Sequence, residues 1–265
     1  SEMCIRDRYD DSDIEPIQGA FYASSSYTRM FFSKFREQRE EELKAKMKPI
    51  NTEDEAFILS DTNLIAIKGT PEYASSINED SPTNRIITSL YTKDRILFLL
   101  KYGICYKTTT NKDGITQIEK HIMRYPQMFA TMAIRDKLRE GIRKGVIWHT
   151  QGSGKTALAY SNVRYLTDYF SREEGKIAKF YFIVDRLDLA EQAKSEFEAR
   201  GLNVKMIKDK KQFIDDIVNP GESNTSGKTT MTVLNIQKFS KESVTKPADY
   251  NVNVQRVYFL DEAHR

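Results

Sequence analysis

The chain has 265 residues, 39% of them hydrophobic, which suffices for one α/β domain with a packed core and an appended segment. Its formal net charge of +3 is too small to establish a nucleic-acid partner. No apolar run approaches the roughly 18 residues of a membrane span, so we expect no membrane contact. Cys4 and Cys105 form neither a disulfide framework nor a metal-binding pattern, which favours the reducing cytoplasm over a secreted location.

The first predicted elements lie in a highly charged stretch. Residues 19–23 predict a strand, and residues 29–48 predict a charged helix that ends before Pro49. Glu42 and Lys44 have the Glu-x-Lys spacing of a nuclease site. Because they lie inside a charged helix, with neither a strand nor an Asp directly before them, we interpret them as part of a solvated helix face.

Both ends of the sequence look cut. The chain begins at Ser1 without Met and ends at Arg265 inside an acidic motif. We therefore expect a fragment of a longer protein, and whether residues 1–8 are native stays open. Residues 18–22 match a short nuclease-associated pattern, Gln-x-x-x-Tyr, although a strand without a catalytic role is the favoured interpretation.

A connecting region and a helical pair come next. Residues 50–81 are rich in turn-forming Gly, Pro and Asn and predict a connection. Residues 83–90 and 93–102 carry apolar side chains at helical spacing, which predicts two helices closed by Gly103. The polar residues 107–114 predict a loop.

A domain boundary is predicted just after this loop. Residues 1–115 are expected to form a mixed α+β segment, and residues 116–265 an α/β lobe. The predicted elements of the lobe are helix 127–144, a strand from Val146, a helix ending near Tyr169, strand 179–184, helix 187–200, strand 203–207, helix 211–218 and strands 230–234 and 257–260. Apolar strands joined by helices predict a mostly parallel sheet covered on both faces, with ligands beyond the carboxyl ends of the strands.

Residues 146–156 read Val-Ile-Trp-His-Thr-Gln-Gly-Ser-Gly-Lys-Thr, an order that predicts a strand, a phosphate-binding loop and a helix start. The glycines let backbone N–H groups turn toward an anion beside the positive end of the helix. Lys155 would then reach the β- and γ-phosphates of ATP, and Thr156 would ligate Mg²⁺. A strict phosphate loop has Gly where this chain has His149, and the alternative is a polar turn. The predicted ATP-binding residues here are Thr150, Gly152, Ser153, Gly154, Lys155 and Thr156.

A second motif follows the last predicted strand. The apolar residues 256–260 deliver Asp261 and Glu262 at a carboxyl end, which is the Walker B layout. Asp261 would hold Mg²⁺ through water, and Glu262 would polarise the water that attacks the γ-phosphate. A solvated strand end is the alternative. The pair nevertheless falls roughly one hundred residues after the phosphate loop, as a single nucleotide-binding lobe requires.

Other residues are predicted to contact nucleotide or DNA. Gln127 lies one helix before the phosphate loop, where its amide would donate to and accept from adenine, although Pro126 starting a helix explains the same residues. Arg186 follows strand 179–184, while Gln237 and Lys238 follow strand 230–234. Superfamily 2 motors contact the nucleic-acid backbone at such places, so these residues are predicted DNA contacts, with a helix N-cap as the equal alternative for Arg186.

Taken together, these stretches resemble the restriction (R) subunit of type I restriction-modification enzymes. The matching strings are Arg124-Tyr-Pro-Gln127, the block 146–156, residues 182–189 and residues 259–265. The Trp-His-Thr lead into the loop is the family-specific part, since Gly-Ser-Gly-Lys-Thr is shared by many superfamily 2 motors. A weaker resemblance extends back to about Ala56.

The resemblance implies a RecA-like P-loop lobe that follows the end of a PD-(D/E)xK nuclease domain. It implies a parent protein that uses ATP and Mg²⁺ to translocate double-stranded DNA, couples this to cleavage, and works with modification (methyltransferase) and specificity subunits in a prokaryotic cytoplasm. It also implies that Arg124 acts with Gln127 in binding ATP, and that Lys155 and Glu262 are catalytic. A second motor lobe with an arginine is expected elsewhere in the parent, so we expect these residues alone to be inactive.

Two alternatives stay open. One is another superfamily 2 helicase or repair translocase, and the other is a P-loop nucleotide-binding module with no nucleic-acid role. The adjacent carboxylates of Asp261 and Glu262, together with Gln127, argue against the second alternative.

Overall fold

A computed structural model describes residues 21–24, 31–34, 40–47, 50–78, 82–149, 153–218, 229–238 and 251–261. The chain divides into two compact units, the first made of residues 1–104 and 122–136 and the second of residues 105–121 and 137–265. None of the helices within the described ranges is both long and apolar enough to cross a membrane.

The first unit contains a two-stranded antiparallel sheet and a series of helices. The sheet pairs β1 (Phe21–Ser24) with β2 (Phe31–Lys34). The helices are α1 (Glu40–Lys46), α2 (Thr52–Asp61), α3 (Pro71–Ile77), α4 (Pro82–Tyr91) and α5 (Lys93–Phe98), followed by a π-helical turn, Leu99–Gly103, and by α6 (Tyr125–Arg139), which begins in this unit. The expected strand and helical pair are confirmed. The predicted helix over 29–48 is wrong at residues 31–34, where the aromatic residues of β2 favour a strand.

Residues 50–81 contain helices where the sequence predicted a connection, and side-chain caps explain why. The Oδ1 atom of Asn51 accepts hydrogen bonds from two N–H groups in the first turn of α2, at 3.0 and 3.3 Å. The hydroxyl of Thr70 accepts from the N–H of Tyr73 at 3.2 Å, and Pro71 occupies the first turn of α3. Neither helix contains a buried residue, so both lack the apolar stripe from which a helix is predicted.

A buried guanidinium connects helices of the first unit. Arg95 on α5 is fully buried and donates from Nη1 to the carbonyl of Ser89 on α4 at 2.5 Å. Its guanidinium lies 5.1 Å from the ring centroid of Phe129 on α6 and 4.0 Å from the carboxylate of Glu42 on α1. These contacts satisfy a charge that would otherwise be costly to bury.

The predicted loop at 107–114 is wrong in its first half, because residues 107–110 belong to a two-stranded sheet and only residues 111–114 lie in the turn. Strand β3 (Ile104–Thr110) pairs with β4 (Thr116–Ile122). The Oδ1 atom of Asn111 accepts from the N–H groups of Asp113 and Ile115 at 3.0 and 2.8 Å, and Gly114 adopts a φ of 78°. The polar but β-branched threonines of β3 favour a strand, which a prediction based on polarity missed.

The second unit is built on a four-stranded parallel sheet, which confirms the predicted fold class. Its strand order is β6-β7-β5-β8, and the strands are β5 (Ile177–Val184), β6 (Asn203–Ile207), β7 (Thr230–Asn235) and β8 (Val254–Leu260). The helices are α7 (Lys155–Glu173), α8 (Leu187–Ala199) and α9 (Lys210–Val218). Every pairing is parallel, so the carboxyl ends of all four strands lie at one edge of the sheet.

Helices cover both faces of the sheet. Phe182 on β5 packs edge-to-face against Phe197 of α8, with ring centroids 5.2 Å apart. Tyr181 points to the opposite face, where its ring packs edge-to-face against Phe213 of α9 at 5.8 Å. The alternating side chains of one buried strand therefore contact helices on both sides, as the continuous apolar run predicted.

The α9 face contains a buried group of charges. Asp216 of α9 is 2% exposed, and its carboxylate lies 3.3 Å from the ammonium of Lys179, which is 3% exposed. Lys205 also reaches this carboxylate, at 2.5 Å, and Thr232 donates a hydrogen bond to it at 3.3 Å. One carboxylate thus links α9 to three strands of the sheet.

The predicted strand at Val146 does not form. Residues 142–149 are irregular within the described part of the chain, and the side chains of Val146 and Trp148 are 87% and 91% exposed. An apolar run becomes a strand only where a neighbouring strand supplies its hydrogen bonds. Among the described strands, none pairs with this segment.

Candidate functional site

The predicted phosphate loop leads directly into the longest helix of the second unit. Gly154, the residue before α7, is in the left-handed region with φ 82° and ψ 42°, a conformation that glycine adopts without steric cost. Its carbonyl accepts the hydrogen bond from Leu158 N at 3.0 Å, which begins the helix. The 19-residue helix then contacts β5 through its buried face. The positive N-terminal end of α7 is therefore held at a fixed place relative to the sheet.

The two predicted nucleotide motifs meet at this helix start. Asp261 follows β8, and its N–H donates to the carbonyl of Ile183 on β5 at 3.0 Å, which extends the ladder beyond the strand. The ammonium of Lys155, the first residue of α7, lies 3.8 Å from the Asp261 Oδ1 atom. Both side chains are partly exposed, at 33% and 21%, so an incoming ligand has access to them. The fold thus brings together the lysine and the carboxylate that the sequence had assigned to one site.

His149, just before the loop, is affected by the same lysine. Burial and then the positive charge of Lys155 lower the pKa of its imidazole from the ordinary value. Its Nδ1 atom is shielded from solvent and has no hydrogen-bond partner among the described residues. The sequence drew attention to His149 as the residue that replaces a glycine and as part of the Trp-His-Thr lead into the loop, but assigned it no role.

The structure describes part of the remaining predicted loop and Walker B residues. Ser153 precedes Gly154, and Thr156 is the second residue of α7, with both side chains half-buried. Thr150, Gly152 and Glu262 lie outside the described residues.

Gln127 and Arg124 interact with each other in the first unit. The Gln127 side chain is buried, and its Oε1 atom accepts a hydrogen bond from the backbone N–H of Arg124 at 2.9 Å. The contact caps the start of α6, where Pro126 is also found, so the alternative of a helix start is realised. A carbonyl oxygen has two lone pairs, and the predicted pairing with adenine therefore stays compatible with this contact.

The predicted DNA contacts lie at the same edge of the sheet as Asp261. Arg186 follows β5 and is the N-cap residue of α8, while its exposed guanidinium donates to both carboxylate oxygens of Asp188, at 3.1 and 2.7 Å. Gln237 and Lys238 belong to a short 3₁₀ turn after β7, the strand that pairs with β5. Gln237 is exposed, and its N–H donates to the buried side chain of Asn235 at 2.7 Å.

A cleft beside these residues was not anticipated from the sequence. It lies between α8 and the carboxyl ends of β6 and β7, and residues 187, 191, 194, 195, 198, 206, 207, 208 and 235 line it. Its charged side chains include both signs, Glu191 and Glu198 as well as Lys194 and Lys208. No motif signals such a cleft, because it arises from the packing of one helix across the ends of two strands.

Comparisons with known proteins cover the part of the chain that contains Lys155 and Asp261. Residues 120–265 match the family described as "Type III restriction enzyme, res subunit", which is more than half of the chain. A putative type I restriction enzyme MjaVIIP endonuclease subunit from Methanocaldococcus jannaschii is 36% identical over 109 residues, covering 39% of this chain and 10% of that protein.

Two further relatives carry similar names. The type I restriction enzyme SsaAORF53P endonuclease subunit of Staphylococcus saprophyticus is 31% identical over 148 residues, or 54% of this chain and 14% of the relative. The type I restriction enzyme SauCOLORF180P endonuclease subunit of Staphylococcus aureus is 28% identical over 145 residues, or again 54% of this chain and 14% of the relative.

The matched stretch therefore spans only about a tenth to a seventh of these relatives. The matched family covers the whole described parallel sheet, α7 and both motifs of the site, and its α/β lobe is the RecA-like P-loop fold that the sequence predicted. The chain belongs to the restriction-subunit family described as "Type III restriction enzyme, res subunit" and is related to the endonuclease subunits of type I restriction enzymes.

Proposed function

We propose that this chain binds ATP with Mg²⁺ and forms the first motor lobe of a restriction subunit. The observation that carries the proposal is the 3.8 Å separation of Lys155 Nζ and Asp261 Oδ1 at the carboxyl edge of a parallel sheet. Ligands of open α/β sheets bind at that edge, and each of these residues belongs to a different nucleotide motif. In this proposal residues 116–265 form the motor lobe and residues 1–115 end a nuclease domain.

The groups around the pair fit a magnesium nucleotide. Lys155 and the N-terminal end of α7 offer positive charge to phosphate oxygens, and Thr150, Gly152, Ser153 and Gly154 would add loop contacts. The carboxylate of Asp261 and the hydroxyl of Thr156 are hard oxygen ligands of the kind that Mg²⁺ prefers. When bound, Mg²⁺ supplies neutralisation of the charge that develops on the transferred phosphoryl group.

The remaining residues have distinct proposed roles. Glu262, directly after the Mg²⁺ ligand, would hold and polarise the attacking water. Gln127 and Arg124 would read the adenine, with Gln127 Oε1 using its second lone pair to accept from the adenine N6 amino group while its NH₂ donates to N7.

The proposed work on DNA uses the neighbouring strand ends. Arg186, Gln237 and Lys238 would contact the phosphate backbone of double-stranded DNA, and a phosphate would replace the Asp188 carboxylate as the partner of Arg186. Backbone contacts of this kind do not depend on base sequence, which suits a translocating motor. The parent protein would couple translocation to cleavage in the prokaryotic cytoplasm, in a complex with modification (methyltransferase) and specificity subunits.

Nucleotide calorimetry on the 265-residue chain tests this proposal. Replacing Lys155 by Ala should weaken Mg²⁺-ATP binding by about 1.5 to 3 kcal/mol, the usual value of a hydrogen bond to a charged group, which is roughly ten- to 150-fold in Kd. The matched control is Lys194→Ala, because the Lys194 ammonium also lies 3.8 Å from a carboxylate, that of Glu198, but on α8.

The control variant should bind as the unmodified chain does, and circular dichroism should show that both variants fold. Equal affinity of Lys155→Ala and the unmodified chain, with the fold intact, would refute the phosphate-loop assignment.

A further inference from the structure

His149 is the part of the loop motif that the proposed nucleotide site does not yet use. It stands where a strict phosphate loop has glycine, and unlike the neighbouring Trp148, which is 91% exposed, it is half-buried. Its Nδ1 atom is shielded from water and makes no hydrogen bond to any described residue. A buried polar atom without a partner costs free energy, so such an atom in a binding site is a candidate contact for the ligand.

The charges that act on His149 come from the proposed phosphate site. Lys155, at the start of α7, is the cation whose field acts on the imidazole, and Asp261 at the end of β8 faces Lys155 at 3.8 Å. Burial, and then the charge of Lys155, keep the pKa of His149 below its ordinary value, so the ring is neutral at pH 7.

A bound triphosphate acts on the pKa of His149 in the direction opposite to burial and Lys155. Its oxygens offset the charge of Lys155 and place net negative charge near the ring, and a nearby opposite charge favours the protonated imidazolium. Both ring nitrogens of the imidazolium are donors, so the unpartnered Nδ1 could then donate to a phosphate oxygen.

We infer that His149 is a further phosphate-binding residue, which takes up a proton from the solvent when the nucleotide binds and donates a hydrogen bond to the phosphates as a cation. The inference rests on the proposed nucleotide site. A protonated His149 supplies a second positive charge beside Lys155, at the position where a strict phosphate loop has the backbone freedom of a glycine.

The linkage fixes the sign of the pH dependence. A group whose pKa is higher in the complex than in the free protein adds affinity that is fully present below the free pKa. This added affinity disappears as the pH rises through the pKa in the complex. Nucleotide affinity should therefore fall as the pH rises from the pKa of His149 in the free protein to its pKa in the complex, by about tenfold for each unit by which binding raises this pKa.

Calorimetry with a non-hydrolysable ATP analogue and Mg²⁺ measures the proton directly. Titrations of the 265-residue chain at pH 7 in PIPES and in imidazole, which differ in ionisation enthalpy, should reveal net proton uptake. His149→Gln should lose that uptake and the pH dependence, whereas His121→Gln should keep both. His121 is a suitable control because it lies on β4 and contacts Glu119 at 3.2 Å.

Proton NMR of the unmodified chain provides a second readout that needs no variant. The imidazole signal of His149 should titrate at higher pH with the bound nucleotide than without it. Nucleotide binding without proton uptake, or with equal uptake in His149→Gln, would overturn this inference and leave the proposed function standing. Failure of the unmodified chain to bind the nucleotide would overturn both.

Discussion

Replacing Asp216 by Asn should strongly destabilise the second unit, because it removes the one negative charge from a buried group of charges. The Asp216 carboxylate is 2% exposed and lies 3.3 Å from the ammonium of Lys179, which is 3% exposed. Removing one partner of a buried ion pair leaves the other as an uncompensated charge and typically costs about 3–5 kcal/mol. Lys205 adds little to this cost, since its side chain is 49% exposed and water can solvate it.

The assay is urea unfolding of the chain followed by circular dichroism at pH 7. Tryptophan fluorescence is a poor probe, because the only tryptophan of the sequence, Trp148, is 91% exposed. Asp215→Asn is the matched control, since this neighbour on α9 is exposed, and such a surface change normally alters stability by less than about 0.5 kcal/mol. Equal stability of the two variants would refute the argument from burial.

A double variant separates the charge from the packing. Changing Lys179 to Met and Asp216 to Leu together removes the pair, and well-packed apolar replacements of buried pairs are often neutral or stabilising. We therefore expect the double variant to be more stable than the sum of the losses in Lys179→Met and Asp216→Leu alone would allow, which gives a large coupling energy. Additive losses would instead mean that each side chain contributes through separate contacts.

The effect of Asp216→Asn should also depend on pH. Burial by itself would raise the pKa of Asp216, but the hydrogen bond from Lys205 and the charge of Lys179 outweigh it and hold this pKa below the ordinary value. Burial lowers the pKa of Lys179 in spite of Asp216, since one carboxylate serves two lysines. A depressed carboxyl pKa gives stability that is present above the unfolded pKa and is lost as the pH falls through the folded pKa. The difference between Asp216→Asn and the unmodified chain should therefore be constant near pH 7 and shrink in strong acid.

Two further predictions concern the nucleotide. Gln127→Ala should remove a preference for ATP over GTP of about 1 to 3 kcal/mol, since guanine presents an acceptor at O6 where adenine presents the N6 donor. Competition binding measures this preference. An unchanged preference would exclude Gln127 as the residue that recognises adenine. Because Gln127 also caps Arg124 N, the same variant should lose about 1 kcal/mol of stability, which thermal unfolding checks separately. Glu262→Gln should be tested in a restriction complex that contains this subunit. The variant should bind Mg²⁺-ATP normally but hydrolyse it at least about 100-fold more slowly in the presence of DNA. Full turnover would mean that another group activates the attacking water.

The parts of the fold that the sequence predicted well are those with strong periodicity. Strand β6 and helix α8 were predicted to within one residue, because their apolar residues recur at the spacing of a strand and of a helix. Helices α2 and α3 were missed for the opposite reason, since their ends are set by Asn51 and Thr70 and they bury nothing. Local polar contacts of this kind leave no periodic pattern.

The charged pairs of the second unit also differ in how far the sequence predicted them. The meeting of Lys155 and Asp261 was predictable, because a phosphate loop and a Walker B strand of one parallel sheet both end at its carboxyl edge. The pairing of Lys179 with Asp216 was not, since a lysine at the start of an apolar strand is normally exposed and its partner lies 37 residues away. The strand at Val146 was wrongly predicted because a strand needs a hydrogen-bonding neighbour as well as an apolar sequence.

The ion pair of Lys155 with Asp261 does not oppose nucleotide binding in the proposed site. Both side chains are partly exposed and their charged atoms are 3.8 Å apart, and a pair of this kind contributes only about 0–1 kcal/mol. Lys155 gains about 1.5 to 3 kcal/mol from a hydrogen bond to a charged phosphate, so exchanging the carboxylate for a phosphate is favourable. The exchange also releases the Asp261 carboxylate for a divalent cation. The pair therefore holds two binding groups in the proposed site, and the free energy lost when it breaks is smaller than the free energy gained from the phosphate contact. We expect Asp261→Asn to weaken Mg²⁺-dependent binding more than binding of the metal-free nucleotide.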